Sequence, residues 1–395
     1  MEMDWADGAA RRVLAELVQV DSINPGGREE DVGNKALELL GEMGCNVPSS
    51  DITWIRHSEG RASLVITLPG ERDEWVGLAG HMDTVPTGDP EAWRWPPLSA
   101  HVEGTQMWGR GTVDMKGGVA AMLLLYASYS REGRRPPVGM KLILTSDEES
   151  GGIGARALDS AGAFDDLSFL FICEPTSCAP GTSEKGCLWA TIDARGVSSH
   201  ASMPDRGVNA LRFGFLACER MGEKVTALAP PHPLLGGGTC TITRASGGEK
   251  ANVVPESARF VLDIRFPPGI SSSEVASALQ MTARELVEET NGLHLSVTCE
   301  NCREAIETDK TSQAVRAAMS ACECEGASNE PVGVLFYTDG SIIIPSHPNL
   351  PFIVLGPGDP AQCHRTDEHT ELPEVLRALR IYRKWMDGAD EALGL

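Results

Sequence analysis

Residues 78–90 read LAGHMDTVPTGDP, an apolar run that ends on a His and an Asp two positions apart and then breaks into a Pro- and Gly-rich loop. A strand repeats every two residues, so on an extended backbone His81 and Asp83 point to the same side. One member of such a pair can bind a metal while the other orients it, although a solvated strand end carries the same two letters. The rest of the chain has to decide between these readings.

Working outward, SLVITLPG (63–70) and WVGLAG (75–80) read as short apolar strands, KGGVAAMLLLYASYS (116–130) as a buried helix, and VGMKLILTS (138–146) and DLSFLFIC (166–173) as further strands. Helical spacing of Val13, Leu14, Leu17 and Val18, and again of Val32, Ala36, Leu37, Leu40 and Met43, places two helices ahead of them, the second stopped by Gly44. Strands alternating with helices predict an α/β layer with a mostly parallel sheet. From about Gly186 the texture changes. CLWATIDARG (187–196), GTCTITRAS (238–246), ARFVLDIRF (258–266) and LHLSVTCE (293–300) are strands, accompanied by two helices at 208–221 and 272–290, the count of a small α+β sandwich open on one face. After about Glu304 the earlier style returns, with a helix at 312–323, the strand FIVLG (352–356) and a closing helix at 372–386. The expected division is a first catalytic part over 1–184, an inserted domain over 185–304 and a second catalytic part over 305–395.

Candidate ligands fall where this layout makes them informative. His81 follows one predicted strand, Asp147, Glu148 and Glu149 follow a second, and Glu174 follows a third. In open α/β sheets the ligand crevice lies at those carboxyl ends. Asp114 sits in GRGTVDMKGG (109–118), a Gly-rich turn into the buried helix, where it either caps the helix or faces a metal. Gly109, Gly111, Gly117 and Gly118 are expected to let the backbone approach a bound ion closely. Of the adjacent Glu148 and Glu149, one can ligate a metal while the other moves a proton. His364 and His369 lie in GPGDPAQCHRTDEHTELP (356–373), and either can complete the set.

Two His, one Asp and two Glu, with one carboxylate able to bridge, form the mixed nitrogen and oxygen shell that Zn²⁺ accepts. Two such ions activate a water and polarise a carbonyl, and a neighbouring Glu carries the proton to a leaving amine. That is amide hydrolysis without a covalent intermediate.

The whole chain is consistent with this. At 395 residues it can hold two or three domains, and its charged and hydrophobic fractions of 23% and 42% are those of a water-soluble globular protein. A net charge of −22 disfavours nucleic acid and anionic membranes as partners. The N-terminal stretch MEMDWADGAARRVLAEL opens acidic, unlike a secretory signal, and no apolar run reaches the length of a membrane span. Eleven cysteines, an odd number scattered along the chain, read as reduced thiols, so the expected location is the cytoplasm.

In order, GHMDTVP (80–86), GRGTVDMKGG, SDEESGG (146–152), CEPT (173–176), GVSSHASMP (196–204), NVVPESARFVLDIR (252–265), TDGS (338–341) and CHRTDE (363–368) resemble the dinuclear zinc exopeptidases and deacylases that include acetylornithine deacetylase, succinyl-diaminopimelate desuccinylase, glutamate carboxypeptidase and aminoacylase. The resemblance covers nearly the whole chain. It implies a zinc-exopeptidase-like catalytic domain with an inserted lid that forms a homodimer. It also implies two zinc ions per chain, with cobalt able to substitute, and a small N-acyl amino acid or short peptide as substrate. Position by position, His81 resembles a zinc ligand with Asp83 as its orienting partner, Asp114 the bridge, Glu148 the general base, and Glu149 and Glu174 ligands of opposite ions. His364 matches the last ligand, which leaves His369 as a surface His. His200 matches a histidine that reaches into the partner subunit's site, and Asn252 and Arg265, with backbone near Gly340, match substrate contacts. The stretch SEKGC (183–187) departs from the desuccinylase pattern and leaves Lys185 as the expected nearby cation. Cys173 and Cys363 are expected to pack and not to ligate.

Overall fold

A computed structural model of the chain describes residues 4–395, so the first three residues of the predicted N-terminal helix lie outside it. The chain divides into two compact units, one comprising residues 1–182, 308–332 and 338–395, the other residues 183–307 and 333–337. The second unit thus takes back a five-residue piece from beyond the inserted segment, a detail with no signature in composition.

In the first unit the strands run in the order Ile52–Ser58, Arg61–Leu68, Gly139–Thr145, Trp75–His81, Leu167–Ile172 and Phe352–Val354. The last four are mutually parallel, and the first two are antiparallel to their neighbours. Val354 then meets Gly181 of an antiparallel strand at the other side. The expected mostly parallel sheet is therefore a mixed one, a parallel centre with antiparallel flanks. Only the central strands need helical crossovers, whereas Ile52–Ser58 and Arg61–Leu68 are joined by the short Glu59–Gly60 turn of a hairpin.

The helix Lys116–Glu132 is buried along its whole length from Lys116 to Tyr129, as its uninterrupted apolar sequence demands. It packs against the helices Asp4–Gln19 and Leu372–Asp387. Phe169 stacks on Trp385 with ring centroids 4.7 Å apart, and Phe171 meets Tyr382 edge-on at 5.3 Å. Full burial of such side chains contributes roughly 1.5–3 kcal/mol each, which makes this layer the rigid base of the strand ends.

The second unit is a four-stranded antiparallel sheet, in the order Thr239–Gly247, Ser257–Phe266, Gly186–Arg195, His294–Arg303. Strand Ser257–Phe266 alternates buried and less buried positions, and Phe260, Leu262, Ile264 and Phe266 lie in the core under the helices Ala210–Leu228 and Ser272–Glu289. Asn209 caps the first helix, and a Ser271/Glu274 capping box starts the second. Among the described residues no helix is long and apolar enough to cross a membrane.

Candidate active site

Strand Trp75–His81 lies between Gly139–Thr145 and Leu167–Ile172, all parallel, so three carboxyl ends meet at one place. The structure there brings together His81, the Asp147–Glu149 turn and Glu174. Strand Trp75–His81 stops at His81, so Asp83 is not its partner on one pleat. His81 Nδ1 faces the main-chain oxygen of Asp83 at 2.9 Å and is 3.7 Å from its carboxylate. The fully buried Asp83 carboxylate instead accepts the backbone amides of Glu148 and Glu149, both at 3.1 Å, and the side-chain amide of Asn24 at 2.9 Å. Orientation of the imidazole thus falls to a carbonyl, and the carboxylate grips the turn that carries two further site residues.

Asp114 is no helix cap. Met115 takes that position, without a side-chain cap bond. The Asp114 carboxylate addresses two imidazoles, with Oδ1 2.9 Å from His81 Nε2 and Oδ2 3.1 Å from His364 Nε2. His81 Nε2 is also 3.7 Å from Glu174, and His364 Nε2 is 3.0 Å from Glu149. His81, Asp83, Glu148 and Glu174 are buried, whereas His364 is exposed and adopts a left-handed φ of 62°. His369, expected at the surface, is half-buried, with its ring stacked on Trp108 at 4.1 Å and its Nδ1 2.8 Å from the Asp367 carbonyl oxygen.

The glycines of the Asp114 turn serve packing. A Cβ on Gly118 would lie 2.2 Å from the Cys173 carbonyl oxygen, and one on Gly111, at φ 85°, would lie 2.7 Å from Thr84. Their small size lets the buried helix close on the Cys173–Glu174 strand end, a packing role beside the close approach to an ion expected of them.

Burial crowds four acids against two imidazoles here. It raises the carboxyl of Glu148 and of Glu174 well above the usual range, and that of Glu149 to about 7, with Asp114 adding to the last. Burial opposes ionisation of Asp114 too, but hydrogen bonds from His364 and His81 outweigh it and hold its carboxyl below the usual range. Contacts with Asp114 and Glu149 push His364 up to about 10. His81 is also raised, because Glu174 and Asp114 overcome its burial. Four carboxyl groups thus draw positive charge onto the two imidazoles, and divalent cations fit the same donors, since both Nε2 atoms face carboxylate oxygens. The ligand atoms of His81, Asp114 and Glu149 lie within 4.8 Å of one another, a metal-binding triad. Burial pushes the Cys173 thiol up to about 12 and raises that of Cys363 as well, so neither offers a ready thiolate.

Behind this layer lies a set of groups that sequence reasoning left out. Asn24 donates to both Asp83 and Asp147, at 2.9 and 3.0 Å. Arg61 pairs with Glu29 at 2.6 Å and with Asp147 at 2.8 Å, and Glu29 also accepts the Asp147 amide. The only visible signal was that Asp147 heads an acidic run. No spacing rule connects it to Asn24, 123 positions earlier.

The other singled-out residues belong to the second unit, apart from Gly340. Exposed His200 accepts the Ser202 amide at Nδ1, 3.2 Å away, which leaves the proton of the neutral ring on Nε2. Asn252 is exposed, and its carbonyl accepts the Ala201 amide. Arg265 and Asp263 share a face as expected, but they pair with each other at 2.8 and 3.0 Å. Lys185 is buried, bonds the Gly237 carbonyl at 2.8 Å, and has its basicity lowered by burial and by Arg265, so it is not the sole cation near that strand. The Gly340 amide, expected to face substrate, donates to Thr338 Oγ1 at 2.9 Å.

Comparisons agree with this geometry. Residues 77–387 match the model of peptidase family M20/M25/M40. The chain is 25% identical over 400 residues to a probable succinyl-diaminopimelate desuccinylase of Staphylococcus aureus, covering 94% of this chain and 95% of that one. It is 27% identical over 382 residues to an acetylornithine deacetylase of Myxococcus xanthus, covering 93% and 94%. Its fold superposes on an M20 family metallo-carboxypeptidase from Sulfolobus solfataricus with a TM-score of 0.80 at 14% identity, over 100% of both chains. With the metal-binding triad set at the carboxyl ends of the sheet, the chain belongs to the M20/M25/M40 peptidase family and is a metal-dependent hydrolase of amide or peptide bonds.

Proposed function

We propose that the chain hydrolyses the amide bond of an N-acyl amino acid with two zinc ions and Glu148 as general base. One observation carries the reading. The two oxygens of Asp114 address different imidazoles, each with its own further carboxylate: His81 with Glu174, and His364 with Glu149. That division supports two neighbouring cation positions sharing Asp114. Zinc held there supplies a Lewis acid that polarises the carbonyl and acidifies water.

The chain's own residues do the remainder. Glu148 is buried beside the proposed ligand Glu149, with its backbone held by Asp83, which supports the reading of its carboxylate as the group that moves a proton. Water oxygen adds to the carbonyl carbon as Glu148 takes its proton. Glu148 then returns that proton to the nitrogen as the carbon–nitrogen bond breaks, giving an acid and an amine. In the homodimer we propose, His200 stabilises the developing oxyanion of the partner's substrate through Nε2–H, the tautomer its contact with Ser202 favours. Strand Thr239–Gly247 supports dimerisation, because it lies at the edge of its sheet and is mostly exposed. A cytoplasmic setting agrees with eleven cysteines, none of which is in a disulfide.

The substrate class draws support from the two curated deacylases, which match almost end to end. Likeness to a carboxypeptidase in fold makes peptide cleavage the competing reading. A panel of N-acetyl and N-succinyl amino acids and dipeptides, assayed with Zn²⁺ or Co²⁺, separates them. N-acyl amino acids should give the highest kcat/KM, and a tenfold preference for dipeptides replaces the proposal with a peptidase.

A further inference from the structure

Glu368 and Arg110 are both fully buried, yet neither enters the chemistry above. One oxygen of Glu368 accepts two consecutive backbone amides, Val113 at 2.8 Å and Asp114 at 3.1 Å. Its other oxygen accepts Arg110 Nη1 at 2.6 Å. Arg110 in turn donates to the carbonyls of Arg365, at 3.1 Å, and Pro86, at 3.2 Å. The Gly109 amide closes the ring on the Glu368 carbonyl at 2.9 Å. Three segments therefore meet on this pair: the turn bearing Asp114, the loop in which Arg365 follows His364, and the loop that follows His81 and Asp83.

We propose that the Arg110–Glu368 pair is the positioning unit of the metal centre, setting Asp114 against His364 so that one carboxylate can face two cations. The inference rests on the reading of Asp114 as the shared ligand. Its physical basis is that Asp114 lies in an irregular turn, where its amide has no helical or sheet partner and the Glu368 carboxylate supplies the acceptor. A carboxylate bonded to N–H groups is a stronger anchor than a neutral acceptor. The exposed His364 depends on its loop for placement, and Arg110 holds that loop one residue away, at the Arg365 carbonyl.

Glu368→Gln keeps the shape and removes the charge. Full-length protein stripped of metal should then bind zinc at least tenfold more weakly, measured by competition with a chelating dye. The visible spectrum of the Co²⁺ form should change, and hydrogen exchange at Val113 and Asp114 should accelerate in the metal-free state. Arg383→Met is the control for a pair that only supports the fold: it breaks the 2.7 Å contact with Glu132, so it should lower the melting temperature and leave zinc affinity unchanged. A folded Glu368→Gln protein with wild-type zinc affinity and a wild-type Co²⁺ spectrum overturns the proposal. If that variant does not fold, Arg110→Met decides in its place, because it leaves the carboxylate on the two amides and removes the brace. At least a fivefold loss of affinity supports the proposal, and wild-type affinity and spectrum overturn it. Zinc stoichiometry of the wild-type protein judges the two-ion reading separately, since one ion or two leaves the comparison with the variants intact.

Discussion

The Asp83 carboxylate accepts the backbone amide of Glu148 at 3.1 Å, and its second oxygen accepts that of Glu149 at the same distance. It therefore fixes the turn on which the proposed base and a proposed ligand sit side by side. In Asp83→Asn one oxygen becomes an NH₂ group, which in either orientation faces a backbone amide donor, that of Glu148 or that of Glu149. Each unsatisfied buried group costs about 1–3 kcal/mol. We predict a kcat roughly ten- to a hundredfold lower at saturating zinc, the kinetic equivalent of that cost, with a much smaller change in KM. Steady-state kinetics decide it, and an unchanged kcat would show that this grip does not place Glu148.

Glu148→Gln and Glu149→Gln should separate proton transfer from metal binding. The first keeps the ligand set and removes the proton carrier, so turnover should fall by about 10²–10⁴-fold with zinc content unchanged. The second removes the acidic partner of His364, so zinc occupancy should drop before kcat does at saturating metal. Elemental analysis beside kinetics reads both, and the opposite pattern exchanges the two roles.

Much of this site was legible before any coordinates. The three strand ends with His81, Glu148–Glu149 and Glu174 stood out because strands and chemistry coincide there, and parallel pairing brings them together. The bracing groups were not legible. Asn24 and Asp147 meet across 123 positions, and Glu368 and Val113 across 255, and only the folded backbone sets such distances. The flanking hairpin also escaped, because Ile52–Ser58 alternates too weakly to announce its direction. His369 misled for a simple reason: its stacking partner Trp108 comes from a distant strand.

Removing the metal should destabilise the protein by a measurable amount. Glu148, Glu149 and Glu174 have raised carboxyl pKa values because they are buried together, and a bound cation relieves that crowding. Ligand that binds only the folded state adds about 2.7 kcal/mol at a hundred times Kd. Calorimetric melting temperatures should therefore rise steadily with free zinc above the Kd and fall on adding chelator. A melting temperature indifferent to zinc contradicts a folded-state metal centre.

The last prediction concerns the substrate carboxylate. Arg265 was singled out as a substrate contact, and a guanidinium suits a carboxylate, but it already makes a two-pronged contact with Asp263, to which Trp189 Nε1 also donates at 3.0 Å. An incoming carboxylate must share the fork or displace Asp263, so the two residues make opposite predictions. Arg265→Met should raise KM for free acids and narrow the gap between acid and ester substrates by roughly ten- to a hundredfold, the worth of a charge-assisted bond. Asp263→Asn weakens the competitor while leaving the guanidinium in place over Tyr337, 5.5 Å from the ring centroid, and should lower KM for acids. Kinetics of both variants on matched acid and ester pairs tell the outcomes apart. If Arg265→Met leaves the acid preference intact, the pair braces the strand Ser257–Phe266 and the carboxylate is held elsewhere.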